Sequence, residues 1–183
     1  MNESKLMRRV QGYHDIRMDG LTDLVLRAKD ASVLDVGCNR GLVSFEMANN
    51  GARLCHGCDS FVEGIDTARQ IFADLRNCES RFEVIDLTKA TLKAFGSQRY
   101  DISLMLATYH KLKRVMPPEP LAALIADIAD RTTKYFAWRA TSDATGDNAQ
   151  EMAQLDRDLK DFRRIHTSYI SQQLGVAAIW ERR

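Results

Sequence analysis

One stretch limits what this chain can fold into: Ser32-Val33-Leu34-Asp35-Val36-Gly37-Cys38-Asn39-Arg40-Gly41. Val33 to Val36 is a short apolar run that predicts a buried strand, and Leu42, Phe45, Met47 and Ala48 open a helix directly after it. A strand that turns into a helix through two glycines is a device for bringing backbone close to a ligand. Glycine tolerates the turn, and the first N–H groups of the helix have no partner inside the helix. Asp59 and Asp86 follow at the ends of the next two predicted strands, and the three features together are far more specific than the turn alone.

The rest of the chain alternates in the same way. Leu21, Leu24, Val25 and Ala28 recur at helical spacing over about residues 20–29. The strand Val33–Val36 leads to a helix over about 41–50, and Arg53–Cys58 is the second strand, closed by Asp59. A helix follows over about 61–76, then a third strand Phe82–Ile85, closed by Asp86. Thr88 to Phe95 predicts a short helix ended by Gly96-Ser97, and Asp101–Leu106 a long apolar strand. Pro117, Pro118 and Pro120 mark a helix start, and Leu121, Leu124, Ile125 and Ile128 give that helix one buried face. Lys134–Trp138 is the fifth strand, 141–148 a loop, and about 148–161 a polar helix. Strands at about 164–170 and 176–181 are joined by Gln172-Gln173-Leu174-Gly175, a connection that suits a hairpin. The pattern predicts an α/β fold: a doubly wound, mostly parallel seven-stranded sheet with helices on both faces and an antiparallel C-terminal hairpin.

The 183 residues fit a single domain, 1–183, with residues 1–19 as a polar and basic arm. A net charge of +1 gives no global reason to expect nucleic acid or an anionic membrane as a partner. No apolar run approaches a membrane span, and Met1 to Lys5 lack the apolar core of a secretion signal, so the expected compartment is the cytoplasm. Cys55-His56-Gly57-Cys58 invites a metal or redox reading. No second C-x-x-C completes a zinc site, and the segment falls on a strand rather than at a helix start. The expectation is therefore no metal, with Cys38, Cys55, Cys58 and Cys78 packed as small apolar groups.

In an open α/β sheet, ligands bind beyond the C-terminal strand ends, where the strand order switches. Asp35, Asn39, Asp59, Asp86 and Ala107–His110 all fall there. A dinucleotide fingerprint reads G-x-G-x-x-G, whereas here Asn39 stands two residues after Gly37 and Gly41 is at the wrong offset. Asp35 would repel a pyrophosphate but suits a cationic ligand with an amino-acid end.

On these residues the chain resembles a class I S-adenosylmethionine-dependent methyltransferase. Val33 to Gly41 is similar to the family's first motif, Asp59 to its ribose-binding acid, Asp86-Leu87 to its adenine-side motif, and Tyr100 to Leu106 to its fourth-strand motif. The resemblance covers about residues 20–183. It implies S-adenosylmethionine as cofactor, with Asp35, Gly37, Asn39, Gly41, Asp59, Asp86 and Leu87 around it, and a seventh strand inserted between the fifth and sixth. One departure is Asn39, where the family usually has glycine. Asn39 either touches the methionine end of the cofactor or holds the turn in a left-handed conformation. Asp86 is either an adenine contact or a cap for the segment after it. Related small enzymes cover the cofactor with an N-terminal arm, a role that here falls to Tyr13 and Arg17. His110, just past the fourth strand, is either a general base or a structural histidine. Lys111, Lys113 and Arg114 cluster beside it, and Arg139 ends the fifth strand, pointing to an anionic acceptor; Lys111 and Arg139 are the candidate substrate residues. The expected reaction is methyl transfer to a small or exposed acceptor, a metabolite or the end of a glycan. RNA or protein as acceptor, with Arg8 and Arg9 joining the basic cluster, is the alternative, as is a non-catalytic S-adenosylmethionine-binding domain. No Asn/Asp-Pro-Pro-Tyr/Phe motif follows the fourth strand.

Overall fold

A computed structural model describes residues 20–89, 92–140, 148–171 and 175–183. Tyr13 and Arg17, Arg8 and Arg9, the loop 141–147 and the hairpin residues 172–174 lie outside the described residues. In chain order the elements are α1 (Thr22–Val25), β1 (Ser32–Val36), α2 (Leu42–Asn49), β2 (Leu54–Asp59), α3 (Val62–Phe72), β3 (Glu79–Val84), a 3-10 turn (Leu92–Phe95), β4 (Tyr100–Leu106), α4 (Tyr109–Val115), α5 (Pro118–Arg131), β5 (Thr132–Arg139), α6 (Asn148–Asp158), β6 (Phe162–Ser171) and β7 (Gly175–Arg182).

The seven strands form one sheet in the order β3-β2-β1-β4-β5-β7-β6. β1 to β5 pair in parallel, while β7 runs antiparallel to both β5 and β6. The doubly wound sheet, the terminal hairpin and the insertion of the last strand between the fifth and sixth are those expected. β1 is buried along its whole length because it lies between β2 and β4, and a strand covered on both faces reads as a continuous apolar run rather than an alternating one.

Strand alternation splits the core into two layers. Leu34 and Val36 face α4, α5 and α6 through Tyr109, Ile125, Ile128 and Leu155, with Phe136, Trp138 and Trp180 from the far strands. Val33 faces α1, α2 and α3 through Leu24, Met47, Ile65 and Phe72. The same alternation puts Cys55 in the second layer and Cys58 in the first. The C-x-x-C pair therefore points to opposite faces of β2 and cannot close on one ion.

Several boundaries differ from those read in the sequence. The first helix is a single turn, since Leu26 is exposed and Asp30 takes a left-handed φ of 59°. β3 starts at Glu79, three residues early, because edge pairing with Leu54–Asp59 fixes its length rather than its apolar content. The helix α3 ends at Phe72, short of residue 76. The helix α4, which begins at Tyr109, is an addition to the elements that the apolar periodicity predicts.

Candidate functional site

Because β1 to β5 are parallel, their C-terminal ends share one edge of the sheet, and a cavity of about 480 Å³ opens there. Its size is that of a small-molecule site. Asp35, Gly37, Asn39, Asp59, Asp86, Leu87, Lys111 and Arg139 all line it. Gly41 and His110 do not.

The floor is the turn after β1. Gly37 has φ 80°, and a Cβ there would fall 2.1 Å from the Thr108 Oγ1, so glycine is required both by conformation and by the approach of the loop after β4. The N–H groups of Gly37 and Cys38 both donate to the Cys58 carbonyl, at 2.8 and 3.0 Å, which ties the turn to the end of β2. Asn39 takes φ 51°, so it does hold the left-handed turn. Its Oδ1 is buried with no hydrogen-bond donor among the described residues. Gly41 also has a left-handed φ, of 69°, but a Cβ there would meet Ala68 at 3.0 Å and Phe82 at 3.2 Å. The second glycine of the motif thus lets α3 and β3 pack closely against the start of α2.

Two carboxylates organise the wall. Asp35 is buried and accepts the Ser44 hydroxyl at 2.6 Å. Asp35 shares the β1 face of Val33, so it points toward α2, the helix that carries Ser44. Asp59 accepts the Asn39 N–H on Oδ2 at 2.8 Å and the Phe61 N–H on Oδ1 at 2.9 Å. One side chain thus positions both the glycine turn and the entry to α3. A carboxylate oxygen has two lone-pair directions, so each oxygen keeps one for a ligand.

Asp86 is engaged differently. Its Oδ1 accepts the Thr88 N–H at 3.0 Å and hydroxyl at 2.7 Å, and Lys89 lies 3.1 Å from Oδ2. The Thr88 bonds, then Lys89, hold the carboxyl below its usual range. Asp86 therefore caps its own turn while standing in the cavity wall beside Ile85 and Leu87.

On the opposite wall Ala107 carries an unusual φ of 57° and donates its N–H to the Arg139 carbonyl at 2.8 Å. This fixes the exit from β4 against the end of β5. Thr108, Lys111, Leu112 and Val115 then line the cavity at i, i+3, i+4 and i+7, the spacing of one helical face. His110, Lys113 and Arg114 fall on the other faces of α4, and His110 is not among the described residues that line the cavity. Burial, then Lys111 and Arg114, lower the His110 pKa below its ordinary value. Arg139 is buried, 4% exposed, in the wall at the end of β5. Cys38 also lines the cavity, where burial, then Asp35, push its thiol pKa up and so disfavour the thiolate.

Sequence reading placed Thr108 at the ligand-binding strand ends, within Ala107–His110, without giving it a role, and missed Ser44. Ser44 carried no signal, because only helix packing brings it to Asp35. Among the described residues no group of three or more His, Cys, Asp or Glu is placed to hold a metal, and no helix is long and apolar enough to cross a membrane.

No protein-family model matches the chain, and no curated protein matches it. Solved structures do. Magnesium protoporphyrin IX methyltransferase (ChlM) from Synechocystis PCC 6803, with SAM bound, is 18% identical over 100% of this chain and 86% of its own, with a TM-score of 0.69. The N-methyltransferase NodS from Bradyrhizobium japonicum WM9 is 12% identical over 100% of this chain and 99% of its own, with a TM-score of 0.67. The 16S rRNA methylase RmtB is 15% identical over 99% of this chain and 76% of its own, also at 0.67. Alike in topology and distant in sequence, these structures establish that the chain has the fold of the class I S-adenosylmethionine-dependent methyltransferases.

Proposed function

We propose that the protein binds S-adenosylmethionine in this cavity and transfers its methyl group to a small or exposed acceptor. The observation that carries the reading is the buried Oδ1 of Asn39, which has no donor among the described residues and sits with Asp35 and Asp59 in the wall of one cavity. A buried acceptor left unpaired costs about 1–3 kcal/mol, so the site is built for a donor. An ammonium supplies one, and its positive charge is welcomed by the carboxylates. A dinucleotide's pyrophosphate would bring negative charge to the same place and leave Oδ1 unanswered.

On this reading Asp59 accepts the two ribose hydroxyls with the lone pairs its backbone bonds leave over, and Asn39 accepts from the amino group. Ile85 and Leu87 give the base an apolar surface beside Asp86. S-adenosylmethionine supplies, when bound, an electrophilic methyl group with a neutral thioether as its leaving group. The protein's task is to align that group with the acceptor and to exclude water, for which the apolar side chains of Leu106, Leu112 and Val115 are placed. No general base is assigned, His110 being outside the wall. The neighbours act, by name, on acceptors as different as a porphyrin and 16S rRNA.

Calorimetry with S-adenosylmethionine, S-adenosylhomocysteine and NAD side by side tests the reading. Micromolar binding of the first two and none of NAD is expected; the reverse order overturns it. Release of S-adenosylhomocysteine during a metabolite screen separates an enzyme from a mere binder.

A further inference from the structure

The cavity is divided by charge. Asp35, Asp59 and Asp86 stand at the ends of β1, at the end of β2 and just past β3, while Lys111 and Arg139 stand on α4 after β4 and at the end of β5. With the strand order β3-β2-β1-β4-β5, the sign of the described lining residues changes once across the sheet, between β1 and β4. We propose that the acceptor carries an oxyanion, a carboxylate or a phosphate, seated on Arg139 and Lys111. The proposal rests on the methyl-transfer reading and names the substrate class for that site.

Three observations carry it. The cation pair is selected by geometry rather than by local composition: of Lys111, Lys113 and Arg114, only Lys111 lies on the cavity face of α4. Arg139 is buried in the wall, and its main chain is pinned by the 2.8 Å bond from Ala107, so its side chain starts from a fixed point. A guanidinium stays charged at any working pH and has five N–H donors in a planar fork, enough to keep contacts within the fold and still meet an oxyanion in bidentate fashion. Finally, the acidic half favours the cationic sulfonium and ammonium of the cofactor and repels an anion, so an anionic acceptor can settle only on the β4–β5 side. Opposite charges in one cavity thereby orient two ligands against each other.

The test uses benzoate and phenyl phosphate, with benzamide as the uncharged control, titrated by calorimetry into the full chain saturated with S-adenosylhomocysteine. The expected result is at least tenfold tighter binding of the two anions than of benzamide. That preference falls about tenfold in Arg139→Gln, partly returns in Arg139→Lys, and falls severalfold in Lys111→Gln. Because Lys111 is exposed, its variant keeps the test decisive if Arg139→Gln fails to fold. Equal binding of benzamide and benzoate, or an anion preference that survives both glutamine variants, overturns the proposal. So does a tenfold loss of S-adenosylhomocysteine affinity in the variants without an anion preference in the wild type, since the pair would then hold the cofactor's own carboxylate. Failure of the unaltered protein to bind S-adenosylhomocysteine overturns the methyl-transfer reading itself, and this proposal with it.

Discussion

Replacing Gly37 with alanine separates two reasons for a glycine that usually travel together. The backbone at Gly37 has φ 80°, and a left-handed conformation costs an L residue roughly 1–2 kcal/mol. The new Cβ would also lie 2.1 Å from Oγ1, 2.8 Å from Cγ2 and 2.9 Å from Cβ of Thr108. Thr108 is buried and cannot swing away, so the overlap adds about 1–3 kcal/mol, the usual range for overpacking. The sum is about 2–5 kcal/mol. At about 2–4 °C per kcal/mol for a chain of this length, Tm falls by roughly 5–20 °C. Gly96 is the control: its φ is 59°, yet a Cβ there meets nothing within 4 Å. Gly96→Ala should therefore cost only the conformational part, a few degrees. Thermal melts followed by circular dichroism read both, and the Gly37→Ala/Thr108→Ala pair completes a double-mutant cycle. Removing Oγ1 and Cγ2 should restore at least about 1 kcal/mol. Equal losses for Gly37→Ala and Gly96→Ala, or no coupling to Thr108, would refute the claim that contact between the β1 and β4 loops dictates this glycine.

The remaining predictions concern Asn39, Asp59 and a buried histidine. Asn39→Gly should leave Tm nearly unchanged, because glycine takes φ 51° freely, while S-adenosylhomocysteine affinity falls about tenfold, roughly 1.4 kcal/mol; unchanged affinity would reduce Asn39 to a turn residue. Asp59→Asn sets an amide N–H₂ against one of two backbone N–H donors and should cost about 1–3 kcal/mol in stability as well as cofactor affinity; a loss confined to affinity would mean the backbone bonds at 2.8 and 2.9 Å contribute nothing. His56 bridges Tyr100 Oη at 2.7 Å and Glu83 Oε1 at 2.9 Å. Burial pushes the Tyr100 phenol up to about 12, so it donates to Nδ1, while Nε2–H donates to Glu83. Burial lowers the His56 pKa below its ordinary 6.5, against the opposing pull of Glu83. The unfolded chain then binds the proton more readily, so stability declines as pH falls below about 6.5, by at most about 1.4 kcal/mol per pH unit. Urea melts at pH 7.5 and 5.5 should show this for the wild type and less of it for His56→Gln; a rise in stability on acidification would contradict the assignment.

Most of the fold was legible because the period of apolar residues reports burial directly. Val33–Val36 and Asp101–Leu106 read as central strands since both faces of each are covered, and Leu121, Leu124, Ile125 and Ile128 announced one buried helical face. Edge β3 was misread at its start, because Glu79, Ser80 and Arg81 owe their strand conformation to pairing with β2 rather than to their own character. Short α4 escaped notice because seven residues leave little room for a period, although its Tyr109 and Leu112 are buried in the core.

The sequence by itself determined the strand-turn-helix at residues 32–49 and the strand-end positions of Asp35, Asp59 and Asp86, since parallel pairing sends every such residue to one edge. Only the tertiary structure decided which side chains meet there. Gly41 left the cavity for the contact with Ala68 and Phe82, His110 turned away on a helix, and Ser44 and Thr108 joined Asp35 and Gly37. Spacing along a chain fixes where a residue's backbone goes. The direction of its side chain, and the neighbour it finds, depend on how two elements distant in sequence pack, and that is set by volumes and close contacts that no local pattern records.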